Sequence, residues 1–102
     1  MQQYIHNYLN FFGIGEQDIL LSEVSGLPAQ DIHHIKWRSA GGGDEVENLI
    51  ALTRLEHDRA HFKKKPFLYE EELIRIHKMK MNFHLGIVSG GDVHISEMKE
   101  LF

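Results

Sequence analysis

Two pairs of histidines, separated by a glycine-rich loop, lie between Asp31 and His61 and limit how this part of the chain can fold. The first pair, His33 and His34, belongs to the alternating segment DIHHI, which follows the turn-like GLPAQ. Alternation bounded by turn residues predicts a β-strand. Because successive side chains of a strand point to opposite faces, we expect the two histidines to have different roles.

The second pair of histidines follows a helix start signal. Thr53-Arg54-Leu55-Glu56 has the form of a capping box, which predicts that a helix begins there. His57 and His61 are four residues apart and therefore share one face of that helix. Together with His33 they would form a three-imidazole site for a divalent ion, with positions left open for water or substrate. Such an open site favours catalysis over a purely structural role.

The loop between the two pairs reads GGGDEVENLIALT. Its glycines, Gly41 to Gly43, allow the chain to reverse, and the apolar run Leu49 to Leu52 predicts a second strand. Asn48 stands directly before that run. Because its side-chain amide is both donor and acceptor, it can hold the loop to the first strand near His34. Without further context, Asn48 could equally be an ordinary turn residue.

The order strand, loop, strand and helix, carrying His-His, Asn and His-x-x-x-His, resembles the HNH endonuclease family, whose fold is the ββα-metal finger. The histidine set is most similar to that of colicin-type nuclease domains, and SEVSGLPAQDIHHI resembles the start of small phage and bacterial HNH proteins. The resemblance covers about residues 19–65. It implies a ββα-metal core over 19–65. Residue patterns on either side predict an N-terminal helical extension (1–18) and a C-terminal helical region (66–102), so that the whole chain forms a single α+β domain.

The resemblance also implies roles for individual residues. His34 would be the general base that activates water, and Asn48 would fix the loop and the base. One divalent ion (Mg, Mn, Ni or Zn) would be bound by three imidazoles, those of His33, His57 and His61. Asp31, on the same strand face as His33, would hydrogen-bond to a ligand imidazole. The implied reaction is hydrolysis of DNA phosphodiester bonds to 5′ phosphate and 3′ hydroxyl ends.

Many HNH proteins carry two cysteine pairs that bind a structural zinc, but this chain has no cysteine. Four other residues stand near the positions where such cysteines would fall: Ser22, Ser25, Thr53 and Glu56. We therefore expect no structural zinc and a finger stabilised by packing instead. The expected catalytic ion is unaffected. Three imidazoles favour transition ions, whereas magnesium prefers oxygen ligands.

The expected partner is DNA, together with a partner protein or a second copy of the chain for targeting. A net charge of −4 argues against a broad polyanion-binding surface, but basic residues cluster in and beside the motif. The candidate phosphate contacts are Lys36, Arg38, Arg54, Arg59, Lys63 and Lys64. Trp37 could contact a sugar or base, or pack inside the finger. The lysine run from Lys63 to Lys65 could also be only a solvated helix end.

The flanking segments give simpler signals. Apolar spacing predicts a helix over Gln2 to Phe12. Pro66 in a first turn, with acidic residues early and lysines late, predicts another over Phe67 to about Phe83, although its apolar stripe is only partial. Ile19 to Val24 could form a short strand, 89–92 a turn and 97–102 a last helix. The remaining histidines match no ligand spacing and are interpreted as surface or packing residues: His6, His77, His84 and His94.

Length and composition agree with one soluble globular domain: 102 residues, 42% hydrophobic and 25% charged. The N-terminal residues lack the basic region and long apolar core of a secretory signal, so no membrane association is expected. The expected location is the cytoplasm, or that of the host if the chain is phage-encoded. Two other functions stay open. One is an HNH fold that binds DNA or protein without cutting, and the other is a histidine-rich metal-binding protein.

Overall fold

The computed structural model describes residues 1–86 of the chain, which form a small α+β domain with a two-stranded antiparallel sheet and three α-helices. The helices are α1 (Gln3–Phe12), α2 (Arg54–Ala60) and α3 (Glu70–His84), and the strands are β1 (Asp31–His34) and β2 (Leu49–Leu52). Two short 3₁₀ turns, Arg38–Ala40 and Val46–Asn48, lie in the loop that joins the strands. The predicted sequence of strand, loop, strand and helix is confirmed.

The sheet separates two apolar clusters. Antiparallel pairing places Ile32 opposite Ala51 and His33 opposite Ile50. Ile32 and Ala51 pack with Tyr8 of α1, whereas Ile50 packs in the cluster that includes α2 and α3 residues. All four residues of β2 are buried because helices cover both faces of the strand. The amphipathic helix α1 therefore packs on the sheet.

The histidine pair of β1 is divided between these faces. His33 is paired with Ile50 and lies on the side of α2, while His34 is paired with Leu49 and lies on the side of α1. The ring of Tyr4 from α1 is 4.7 Å from that of His34. The expectation that the two histidines face different environments is confirmed.

The capping box at the start of α2 is also confirmed. Glu56 N donates to Thr53 Oγ1 (3.1 Å), and Thr53 N donates to Glu56 Oε1 (2.8 Å). The hydroxyl of Ser22 donates to the same carboxylate oxygen at 2.5 Å, within the buried interior. These hydrogen bonds lower the pKa of Glu56 although burial opposes the change. We call Ser22, Thr53 and Glu56 the carboxylate hub.

Two predictions about the flanks are wrong. Residues 19–24 contain only an isolated bridge between Leu21 and Pro28, because the hydroxyl of Ser22 accepts hydrogen bonds from the amides of Val24 and Ser25 and turns the chain. The third helix begins at Glu70 and not at Pro66. Arg59 binds the residues that precede Glu70, from Pro66 to Leu68.

The contacts of Arg59 explain this late start. Its Nε donates to the Pro66 carbonyl (2.6 Å), and its own carbonyl accepts from Leu68 N (3.1 Å). Leu68 is thereby buried in the core before α3 begins. The expected turn at 89–92, the helix at 97–102 and His94 lie outside the described residues. No helix within residues 1–86 has the length and apolar character needed to cross a membrane.

Candidate metal and catalytic site

Three imidazoles converge where β1 meets α2. His33 comes from β1, His57 from α2, and His61 from the residue that ends α2. Each offers one ring nitrogen, and these three atoms lie within 4.8 Å of one another. The Nε2 atoms of His57 and His61 are only 3.1 Å apart. Two nitrogens bound to one ion at about 2.0–2.1 Å would be separated by a similar distance.

His33 carries a polar atom that the surrounding residues leave unsatisfied. Its side chain is buried, and its Nε2 has no hydrogen-bond partner among the described residues. Burial, together with the neighbouring imidazoles of His57 and His61, lowers the pKa of His33 to about 3. The ring is therefore neutral at pH 7 and has a lone pair to offer. A buried polar atom without a partner is uncommon in folded proteins, and a bound cation would satisfy it.

The neighbours of His57 orient its ring toward the other two imidazoles. Asp31 Oδ2 lies 3.1 Å from His57 Nδ1, and Arg54 holds the same carboxylate through Nε (2.7 Å) and Nη2 (3.1 Å). A carboxylate oxygen in this position accepts a hydrogen bond from Nδ1–H, which leaves the lone pair of His57 on Nε2. Asp31 was expected to hydrogen-bond to one of the ligand imidazoles, and in the structure this imidazole is that of His57. The imidazoles of His33, His57 and His61 therefore fit a divalent cation that accepts nitrogen ligands.

His34 lies in the same cleft as the three imidazoles but has partners of its own. The cleft has a volume of about 260 Å³ and is lined by all four histidines together with Tyr4, Trp37 and Arg38. His34 Nε2 is 2.8 Å from Asp44 Oδ1. Arg38 Nη2 donates to the same oxygen at 3.1 Å. These contacts lower the pKa of the Asp44 carboxyl group, with the hydrogen bond to His34 as the largest cause.

Asn48 fastens the loop to the end of β1, as expected. Its Oδ1 accepts from Lys36 N (2.8 Å), and its Nδ2 donates to the carbonyls of Lys36 (3.0 Å) and Gly43 (2.9 Å). The loop passes so close at Gly42 that an added Cβ would lie 1.7 Å from the Lys36 carbonyl oxygen. Gly41 has a φ of 92°, which other residues rarely adopt. The side chain of Asn48 forms no hydrogen bond with His34.

The six candidate phosphate contacts fall into two groups. Arg38, Arg54 and Arg59 are bound to Asp44, Asp31 and the Pro66 carbonyl, respectively. The side chains of Lys36, Lys63 and Lys64 are exposed and form no ion pair with any of residues 1–86. The lysine run lies beyond the end of α2 and not on its last turn.

Trp37 is half-buried, and its ring is stacked on that of His61 with an interplanar angle of 22° and a centroid distance of 5.0 Å. The packing role considered for it therefore agrees with the structure. The ring also forms a wall of the histidine cleft.

Sequence reasoning missed two features of the site. Asp44 was read as part of a loop, although an acidic residue directly after three glycines and near a histidine pair was a possible signal. The second is a buried group in which Glu23 accepts from the Tyr8 hydroxyl (2.5 Å) and lies 3.0 Å from His77 Nδ1. His77 Nε2 donates to the carbonyl of Val46, two residues before Asn48, at 2.7 Å. His77 is thus a packing residue, as expected.

Comparison of the chain with models of protein families, with curated proteins and with solved structures found no match.

Proposed function

We propose that this chain is a metal-dependent endonuclease of the HNH type, built on a ββα-metal finger, that hydrolyses phosphodiester bonds of DNA. The observation that carries the proposal is the convergence of three imidazoles beside His34 in one cleft. The unsatisfied Nε2 of His33 supports a bound cation at this point. The chain order β1, loop, β2 and α2, with Asn48 closing the loop, supports the finger.

His34 is the general base of the proposed reaction. The lowered pKa of Asp44 keeps its carboxyl group ionised at neutral pH, so this group accepts a hydrogen bond and does not donate one. In the proposed active form, His34 donates from Nε2 to Asp44 Oδ1, 2.8 Å away. Arg38 Nε, which also lies 3.2 Å from His34 Nε2, then donates to the same Asp44 oxygen at 3.3 Å. The lone pair of the neutral ring is left on Nδ1, and this atom takes the proton from the attacking water. In this proposal Asp44 favours the tautomer whose lone pair is on Nδ1.

The other residues hold the reacting groups in place. A divalent ion on His33, His57 and His61 would supply Lewis-acid stabilisation of the charge on the phosphate and the leaving 3′ oxygen. Asp31 fixes the ring of His57 for this purpose. Asn48 fixes the loop that carries Asp44 and so acts on His34 indirectly. Lys36, Lys63 and Lys64 are exposed and available to bind phosphates.

The test is conversion of supercoiled plasmid by the wild type, His34→Ala and the matched control His6→Ala, which removes an exposed histidine of α1. Each protein is assayed with EDTA and with Mg²⁺, Mn²⁺, Ni²⁺ or Zn²⁺, and ion binding is measured by calorimetry. We expect cutting by wild type and control only with an ion, and ion binding without cutting by His34→Ala. If no ion supports cutting by the wild type, the nuclease proposal is wrong for free DNA.

A further inference from the structure

A second pocket, with a volume of about 240 Å³, adjoins the histidine cleft on the other side of Trp37. His33 and Trp37 line both spaces, while Phe62 and Leu68 belong to the second pocket alone. Glu70, at the start of α3, adds a carboxylate to its wall. Aromatic walls with one polar group are typical of pockets that bind a flat organic ring. The proposed chemistry described above uses none of this space.

Two further aromatic rings, those of Phe67 and Tyr69, contact Phe62, which lines the pocket. Phe62 is 46% exposed and Tyr69 is 50% exposed. The ring centroid of Phe62 is 5.3 Å from that of Phe67, 5.7 Å from that of Tyr69 and 6.0 Å from that of Trp37. We call Phe62, Phe67 and Tyr69 the aromatic rim. The rim continues the wall formed by Trp37 out to the protein surface.

The backbone at Phe62 has a conformation that usually belongs to glycine. Its φ is 61°, and it is the only described residue other than glycine with a positive value. Phe62 N donates to the Arg59 carbonyl (3.2 Å) and Lys63 N to the Asp58 carbonyl (2.9 Å), which closes the end of α2 in a Schellman arrangement. Glycine is the residue that fits this position with least strain. Helix termination therefore does not require the phenyl ring.

Positive charge lies beside the rim. Lys63, Lys64 and Lys65 directly follow Phe62, and all three are exposed. The ammonium group of Lys65 lies 6.0 Å from the ring centroid of Phe67. Aromatic faces combined with lysines complement a strand of nucleic acid, because every base can stack on a ring while the lysines contact the phosphates. In a duplex the base faces are covered by their neighbours and cannot stack on the rim.

We propose that the second pocket and the aromatic rim bind unpaired nucleobases, so that the preferred substrate is DNA with a single-stranded stretch beside the cleaved bond. The preference for such a substrate rests on the proposed nuclease function. The binding of unpaired bases does not, and it can be measured with EDTA present and without cleavage. The pocket lies next to His33, so a base held there belongs to a nucleotide close to the three imidazoles.

The test variant is the double substitution Phe62→Gly and Tyr69→Ser. Glycine suits the left-handed backbone at position 62, and serine is a favoured N-cap for α3, whose N-cap is Tyr69 without a side-chain cap. Both changes remove a ring without opposing the local backbone. The matched control is Phe83→Ala, which removes an aromatic residue that is 85% exposed and lies about 20 Å further along α3. Thermal unfolding shows whether the variants are folded.

The measurements are fluorescence anisotropy of a labelled single-stranded oligonucleotide and of its duplex, and quenching of Trp37, the only tryptophan of the chain. In EDTA we expect the wild type and Phe83→Ala to bind the single strand at least about tenfold more tightly than the duplex, with quenching. The double variant should stay folded and lose about tenfold or more of single-strand affinity. Equal affinity for both DNA forms, absence of binding, or unchanged affinity in the folded double variant would overturn the proposal. So would unfolding of the double variant, because the rings would then be needed for folding.

The two proposals can fail separately. If the single strand binds and quenches Trp37 but plasmid is never cut with any ion, the nuclease proposal fails and the binding site stands. If plasmid is cut while no single strand binds in EDTA, the nuclease proposal stands and the proposed base-binding pocket is wrong.

Discussion

Acid should destabilise the metal-free protein mainly through His33. Below about pH 6.5 the imidazole takes up a proton in the unfolded chain, but in the folded protein it does so only near pH 3 because it is buried. Between these values the unfolded state binds more protons, so the free energy of unfolding decreases as pH falls. His61, whose pKa is also lowered by burial, acts in the same direction.

The size of the effect follows from the difference between the unfolded pKa and the test pH. One pH unit corresponds to about 1.36 kcal/mol, so going from pH 7 to pH 5 should cost about 2 kcal/mol through His33 alone. This figure requires only that the folded pKa lies well below 5, and the cited value is about 3. The range from pH 5 to pH 7 also lies above the pH at which carboxyl groups with a lowered pKa, such as that of Asp44, take up protons.

The assay is urea unfolding in EDTA, followed by circular dichroism at pH 7 and pH 5, for the wild type and for His33→Leu. The variant removes the titrating group from the buried position, so the wild type should lose about 2 kcal/mol more than the variant between the two pH values. A parallel decrease in both proteins would refute the reasoning. Added Ni²⁺ or Zn²⁺ at pH 7 should raise the stability of the wild type, by about 2.7 kcal/mol at a hundredfold excess over the dissociation constant, but not that of His33→Leu.

Three further predictions concern the loop, the base and the carboxylate hub. Gly42→Ala places a methyl group against the Lys36 carbonyl and should cost about 2–3 kcal/mol in thermal unfolding, and a loss below about 0.5 kcal/mol would mean that the loop moves freely. Asp44→Asn can no longer select one tautomer of His34, so plasmid cutting at saturating ion should fall about tenfold to a hundredfold while ion affinity is unchanged. Full cutting activity of Asp44→Asn would show that Asp44 has no role in the reaction. Glu56→Ala should lower unfolding free energy by about 2–3 kcal/mol because Ser22 and the cap of α2 lose their partner, whereas exposed Glu71→Ala should change it by less than about 0.5 kcal/mol.

The central elements were predictable because their signals are local. Alternation in DIHHI defined β1, the capping box defined the start of α2, and the period of two placed His33 and His34 on opposite faces. The spacing of His57 and His61 was likewise sufficient to bring their rings together. In each case the residues that decide the outcome are within a few positions of one another.

The missed features depend on distant contacts. An aspartate after glycines is an ordinary turn residue, and only the path of the loop brings Asp44 to His34. The contact between Glu23 and His77 joins residues far apart in the chain, and neither residue has a local signal. At Pro66 the local preference for a helix start was overruled by Arg59, which binds the segment from the end of α2.

The carboxylate hub has a consequence for when the domain can form. Its hydrogen bonds join the segment before β1 to the start of α2, and one oxygen of its buried carboxylate accepts two of them. Where a structural ion performs such a task, folding has to wait for the ion. For this chain we therefore expect folding to precede uptake of the proposed ion. Ion affinity would then be set by the needs of the reaction, and a fluctuating supply of the ion would switch cleavage on and off without exposing the core.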